Sequence, residues 1–352
     1  MTPTRTRIRP YRRAAVRRLD PQLVTTLFDL PQDPECRRQP GQGISEVMAR
    51  PTWWPFLRAD LLAVAAVVNW GLSYGLTKLA LAQWRPLTFT GTRFVAMALI
   101  AATVLRTQGR LHVLVGPDRA RFLLGGLLGF TLYQLGFVLG LDRTSALSST
   151  LLLATIPLFS LLFLRLGGVE RVRSRQWAGV VLAIVGVGLL VLAKGDAPRL
   201  ADARLGDGLS LGAAASFALY GIVTRPLGDR YPASTVLAGS LLIGSLPLIP
   251  LALLESPPQR WAAIAPSGWA IWLYSVVVPV YLGYTWWTAA LTARGVAAIA
   301  PYVLLVPLVG GAIAVAGLGE PLTPWLALGS ALILLGLALG RDWLPHLPRP
   351  RR

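Results

Sequence analysis

"IPLFSLLFLRLGGVER" runs from Ile156 to Arg171, and "VPLVGGAIAVAGLGEP" runs from Val306 to Pro321. The two stretches carry the same punctuation 150 residues apart: Pro157 matches Pro307, Gly167 matches Gly317 and Glu170 matches Glu320. The register continues without a gap through Gly179 and Gly329, Leu182 and Leu332, and Gly186 and Gly336. Leucines and glycines coincide by chance in apolar sequence. A proline inside an apolar run and a glutamate at its end are rarer, and their joint recurrence points to an internal duplication.

The 352 residues are 54% hydrophobic and 14% charged, with a mean hydropathy of +0.56. Soluble domains carry about 25% charged residues, so an ordinary water-soluble protein is excluded. From Asp60 to Arg341 the charges cluster between apolar runs of roughly 17 to 30 residues, and about 20 suffice for a helix to cross the hydrocarbon. Helices satisfy their own backbone groups in lipid. The expected fold is an all-α polytopic membrane protein of ten transmembrane helices. They are placed at 61–82, 86–105, 121–141, 144–164, 176–193, 208–224, 233–254, 267–291, 295–318 and 324–340.

Lys and Arg counts in the connecting segments orient the chain. With a cytoplasmic N-terminus, the cytoplasmic segments hold 26 basic residues and the opposite side 7. Both termini are therefore expected in the cytoplasm of a cell-membrane protein. Five helices per copy is an odd number, so the second copy enters the membrane upside down. The layout is a basic tail (1–59) read as disordered, a first five-helix repeat (60–194), a linker (195–206), a second repeat (207–341) and a C-terminal tail (342–352). Whether the chain starts at Met1 or at Met48 stays open. Inverted repeats characterise secondary transporters, whose site lies near the midplane between the halves.

Other chemistries find little support. The lone Cys36 excludes an internal disulfide framework, and His112 and His346 lie far apart, outside the apolar runs. No metal site, cofactor or histidine-based catalysis is expected, so the chain is not read as an enzyme. The net charge of +18 flanks membrane spans instead of forming a compact basic domain, so the partners expected are the lipid bilayer and a small-molecule substrate, not nucleic acid. A homodimer through small-residue faces such as "GLSYG" (71–75) stays open.

"NWGLSYGLTK" (69–78), "TGTRFVAMAL" (90–99), "LDRTSALSSTLLLATIPLF" (141–159) and Gly168-Val169-Glu170 in the first copy carry a resemblance. "SFALYGIVTRPL" (216–227), "GVAAIAPYVLLVPL" (295–308) and Gly319-Glu320 repeat it in the second. Over about residues 60–340 the chain resembles the drug/metabolite transporter superfamily, in its ten-helix branch with paired EamA domains. The resemblance implies an exporter or exchanger of small metabolites, often amino acids. Two features depart from the pattern: the second copy has no arginine matching Arg93, and the tail before Asp60 has no counterpart.

Arg93 lies about 12 Å into the second helix at 1.5 Å per residue, where an arginine costs about 2.5–3.5 kcal/mol on insertion scales. No Asp or Glu falls inside an expected span, so its partners are carbonyls, polar groups, water or an anionic substrate. Helix packing and substrate contact both stay open. Candidate lining residues for a substrate passage are Asn69, Trp70, Tyr74, Arg93, Tyr133 and Gln134 in the first copy. Tyr220, Tyr284, Trp287 and Tyr302 are those of the second. For the aromatics, interfacial anchoring competes with lining. Pro157 and Pro307 each remove a donor and free the carbonyls of Leu153 and Val303, which makes them hinge or gate candidates. Lys78 is read as reaching to the interface, and Glu170 and Glu320 as capping or pairing locally. The functional expectation is outward movement of a small metabolite by alternating access. Import of a small organic anion or drug-like compound, or a sensor or scaffold role, are the alternatives.

Overall fold

The computed structural model describes residues 54–167, 174–192, 199–294 and 299–340. Cys36, Met48, Glu170, Arg171, Arg173, His346 and both terminal tails lie outside them. The described residues form ten helical rods and no strand. They are α1 (Trp54–Leu81), α2 (Pro86–Thr107), α3 (Arg119–Arg143), α4 (Ala146–Leu166), α5 (Ser174–Leu192) and α6 (Arg199–Gly228). There follow α7 (Ala233–Ser245, resumed at Leu248–Leu253), α8 (Pro266–Val277 through to Gly283–Arg294), α9 (300–317) and α10 (Pro324–Gly340). By length and composition, α1 to α4 and α6 are each long and apolar enough to cross a membrane.

Two boundaries differ from expectation. α1 begins at Trp54, inside the segment read as tail, and α6 begins at Arg199, inside the segment read as linker. The first turns of α6 are charged, so hydropathy passes over them. Side chains near the end of α3 hold them instead: Arg143 Nε lies 3.4 Å from Asp202 Oδ1, and the Thr144 hydroxyl donates to Asp207 Oδ1 at 2.6 Å. Asp207 is 1% exposed, which corrects the expectation that no carboxylate enters a span.

The packing has a two-fold pattern that exchanges the first five helices with the last five. α1 packs on α8 and α9, and α6 packs on their counterparts, α3 and α4. α2 packs on α7, α4 on α9, and α5 on α10, so these pairs map onto themselves. The α5–α10 contact gives the direction of the symmetry. A methyl added at Gly336 would sit 2.5 Å from the Gly179 carbonyl oxygen, and one at Gly186 would sit 2.7 Å from that of Gly329. Because Gly179 matches Gly329 and Gly186 matches Gly336, the two rods run antiparallel about a local two-fold. The repeats are inverted.

Charged side chains fasten the helix ends. At the end where α1 finishes, Lys78 Nζ donates to the carbonyls of Leu141 (2.5 Å), Asp142 (3.2 Å) and Thr144 (2.7 Å), closing the C-terminus of α3. Lys78 is thus a helix cap between neighbours. Glu320 accepts from the N–H groups of Ala146 (2.6 Å) and Leu147 (2.9 Å) at the start of α4. Glu255 does the same for Leu87 (2.9 Å) and Thr88 (2.7 Å) at the start of α2. Carboxylates at helix N-termini meet free N–H groups and the positive end of the dipole. Glu320 does cap, but across the repeats. At the opposite end, Asp60 of α1 pairs with Arg294 of α8.

Both proline breaks are present. α4 is interrupted at Ala154 and Thr155, with Pro157 in the first turn of the resumed helix. The Thr155 hydroxyl takes the Leu152 carbonyl at 2.5 Å. In α9 a tight 3-10 turn over Ala300–Leu304 precedes the buried Pro307. The Val303 carbonyl, expected to be freed, shares the Leu305 N–H with that of Tyr302.

The close α5–α10 approach is testable. Gly336→Ala and Gly186→Ala force backbone apart and are expected to destabilise by about 1–3 kcal/mol. Gly188→Ala meets nothing within 4 Å and gains helix propensity of about 1 kcal/mol. Thermal unfolding in detergent should therefore lower the midpoint for the first two variants only; equal effects at all three would contradict the packing.

Candidate functional site

The centre of the bundle is built on two π-helical turns, Leu127–Leu132 in α3 and Val278–Leu282 in α8. They occupy equivalent places in the two repeats. In α8 the cause is visible: Pro279 supplies no N–H, so the hydrogen-bond ladder shifts by one residue. Polar atoms from the partner helix attend each turn. Asn69 Nδ2 donates to the Val278 carbonyl at 3.2 Å, and Trp70 Nε1 donates to that of Pro279 at 2.9 Å. In the other repeat Ser216 Oγ donates to the Leu128 carbonyl at 2.8 Å. Asn69 and Ser216 lie 147 residues apart, as do Trp70 and Phe217, so α1 and α6 clamp the turns by the same device.

The turns present Tyr133 and Tyr284. Tyr133 meets Phe217 at 4.7 Å between ring centroids, and Tyr284 meets Trp70 at 5.7 Å. The register that matches Leu128 with Val278 sets Tyr133 against Gly283 and Gln134 against Tyr284, so the two ring pairs are similar in kind without being equivalent positions. Tyr74 stands edge-on to Phe137 at 5.5 Å, and Tyr220 packs on Phe217 at 5.2 Å and Phe130 at 5.6 Å. Tyr133 is within electrostatic reach of Tyr74, Tyr284 and Arg93, and Tyr284 of Tyr220. Tyr74, Tyr133, Tyr220 and Tyr284 are deeply enclosed by protein, yet each stays partly accessible. Together they form an aromatic cluster whose rings are enclosed by protein without being fully buried. It lies between α1, α3, α6 and α8.

Arg93 is 6% exposed and its Nε has no hydrogen-bond partner. Its guanidinium carbon lies 5.1 Å from the Phe89 ring centroid and 5.4 Å from that of Phe94. Gln134 is 5% exposed, and its Nε2 is likewise unpartnered. Phe130 meets Phe94, and Val138 shares a cluster with Phe89. Gln134 stands one turn from each along α3, so the register sets it opposite Arg93.

Six of the ten candidate lining residues thus come together: Tyr74, Arg93, Tyr133, Gln134, Tyr220 and Tyr284. Trp70 borders them while spending its N–H on α8. Asn69 is committed to structure, since its Oδ1 also accepts from the Tyr274 hydroxyl at 2.5 Å. Trp287 touches Trp70 at 5.5 Å but belongs to a cluster with Ala63, Ala290 and Ile299. Tyr302 joins that cluster and lies near Asp60, so it sits at the Asp60–Arg294 end and not with the other four tyrosines. An aromatic residue type carries no information on depth, which is why sequence grouped them. Ser216 and Phe217 were missed; their spacing from Asn69 and Trp70 was the available signal. Among the described residues no group of three metal-ligating side chains occurs.

A model of the EamA-like transporter family matches residues 57–192 and 204–340. A protein of Salmonella typhimurium named "Probable amino-acid metabolite efflux pump" is 31% identical over 78% of this chain and 92% of its own length. A "Probable terminal-alkyne amino-acid exporter" of Streptantibioticus cattleyicolor is 28% identical, over 78% and 91%. A solved crystal structure, 22% identical, superposes with a TM-score of 0.54 and covers 80% of this chain and 95% of the other.

Asn69→Leu would leave the Tyr274 hydroxyl and the Val278 carbonyl without this partner. The expected cost is about 1–3 kcal/mol, read as a lower unfolding midpoint in detergent. Asn69→Ser, which restores the donor found at Ser216, should recover part of it. A wild-type midpoint for Asn69→Leu would remove the clamp.

Proposed function

The chain belongs to the EamA-like transporter family, and from that premise we propose that it moves amino acids or related small metabolites outward across the cell membrane by alternating access. It is a multi-pass membrane transporter and not an enzyme. The observation that carries the finer reading is the cluster of enclosed, partly accessible tyrosines between α1, α3, α6 and α8 of the two inverted repeats, which would line the passage. Aromatic walls with a few convergent polar groups suit amphipathic solutes. The two relatives named above are both described as exporters of amino-acid compounds.

In this reading the Lys78 end faces outward, by the distribution of basic residues. Lys78, Glu320, Glu255 and Asp207 close that end through helix termini. Asp60 and Arg294 hold the cytoplasmic end less tightly, since both remain partly exposed. Transport would release one set while the other holds, with α4 and α9 flexing at their breaks beside Pro157 and Pro307. Among the described residues every Asp and Glu lies in a loop or within about three turns of a helix end. None of these stands within the tyrosine cluster as a proton relay, which supports movement driven by the solute gradient or by exchange over coupling through Glu170 or Glu320.

Purified protein in liposomes loaded with radiolabelled amino acids tests this directly. Efflux and counterflow are expected without an imposed pH gradient. Strict dependence on that gradient would overturn the coupling, and no flux of any amino acid would overturn the substrate class.

A further inference from the structure

Arg93 poses a charge problem that the protein does not solve itself. The guanidinium is buried opposite Tyr133, about ten residues or 15 Å along α3 from the Lys78 end. Two phenylalanine faces support it, and cation–π contacts offset only part of the desolvation of a buried ion. The carboxylates that could neutralise it are engaged elsewhere. Asp207 meets Thr144, Asp60 meets Arg294, Asp118 meets Arg230, and Glu255 and Glu320 cap helices. Gln134 opposite brings a second buried N–H group without an acceptor. Two unpartnered donors, one of them cationic, thus lie on α2 and α3 where these helices pack, next to Tyr133 of the aromatic cluster.

We infer that Arg93 and Gln134 form the anion-recognising corner of this cluster and hold the carboxylate of a small monocarboxylate with an aromatic or aliphatic body. Arginine Nε–H and a neighbouring Nη–H present the parallel pair that a carboxylate accepts side-on. The Gln134 amide adds a third donor, and the tyrosine-rich wall takes the body. The second repeat offers no arginine here, so the ligand is polarised: its carboxylate lies towards α2 and α3, its body towards α6 and α8. A free ammonium group is not required by the corner, so N-acylated acids fit as well as zwitterions. The inference rests on the transport reading above only for how the ligand arrives.

Binding to the full chain in lipid nanodiscs provides the test, with radiolabelled N-acetyl-phenylalanine as probe and N-acetyl-phenylalaninamide and inorganic phosphate as competitors. The acid is expected to bind at least tenfold more tightly than the amide. Arg93→Gln should erase that ratio, Arg93→Lys should keep part of it, and Gln134→Leu should reduce it severalfold while the amide binds as before. Equal binding of acid and amide to the wild type overturns the assignment even where an Arg93 variant fails to fold. So does a ratio that survives Arg93→Gln, or displacement by phosphate at lower concentration than by the acid. An intact ratio without flux in liposomes refutes the transporter's proposed cargo class and leaves the corner standing. Flux of amino acids with no acid preference refutes the corner alone.

Discussion

In a bilayer a backbone carbonyl released from its helix has no water to turn to. The architecture depends on how two such disturbances are managed. The π-helical turns of α3 and α8 skew the carbonyls around Leu128, Val278 and Pro279, and side chains from α6 and α1 come to meet them. Each clamp fixes one inter-repeat contact, α3 against α6 and α1 against α8. Tyr133 and Tyr284 stand just beyond these turns, so the clamps also fix where the aromatic cluster begins on α3 and α8.

Inversion then follows from chain threading. Five crossings per copy place equivalent helices antiparallel, and only small residues allow α5 and α10 to cross on their own two-fold. The Lys78 end shows the consequence. Glu255 and Glu320 come from the second repeat, yet they cap α2 and α4 of the first. Each repeat holds the other's helix termini, so neither can tilt without breaking charge-assisted bonds of the kind that contribute about 1.5–3 kcal/mol apiece. Motion of one half is coupled to the other through these contacts and through apolar clusters to which both repeats contribute.

Much of this was legible in the sequence because lipid imposes a strong rule on composition. All ten rods lie where apolar runs lie, and the echo of Pro157 in Pro307 marked both breaks. What escaped did so for physical reasons. The first turns of α6 look like a linker because Asp202, Arg204 and Asp207 are polar, and the partners of Asp202 and Asp207 at the end of α3 are roughly sixty residues away. The π-helical turn of α3 carries no proline, so nothing local announces it. Tyr302 resembles Tyr284 in type but lies near a helix end. Glu320 was expected to find a local partner, whereas its acceptor role is met by N–H groups more than 170 residues earlier.

Arg93 is where symmetry and chemistry part. Both repeats put tyrosines and large rings into the wall, Tyr133 and Phe217 on one side and Tyr284 and Trp70 on the other, and a wall of one chemistry does little to orient an asymmetric solute. A single cation on one side can. Its burial is costly in a protein without an anion nearby, and two phenyl faces only partly offset that cost. A purely structural arginine would be expected to place its N–H groups on carbonyls at a helix end, as Lys78 does. Arg93 instead leaves Nε without an acceptor across from an equally unpartnered amide. The strain of an unmet charge is itself a binding determinant: it raises the free energy of the empty carrier, and a carboxylate that relieves it gains affinity without further contacts.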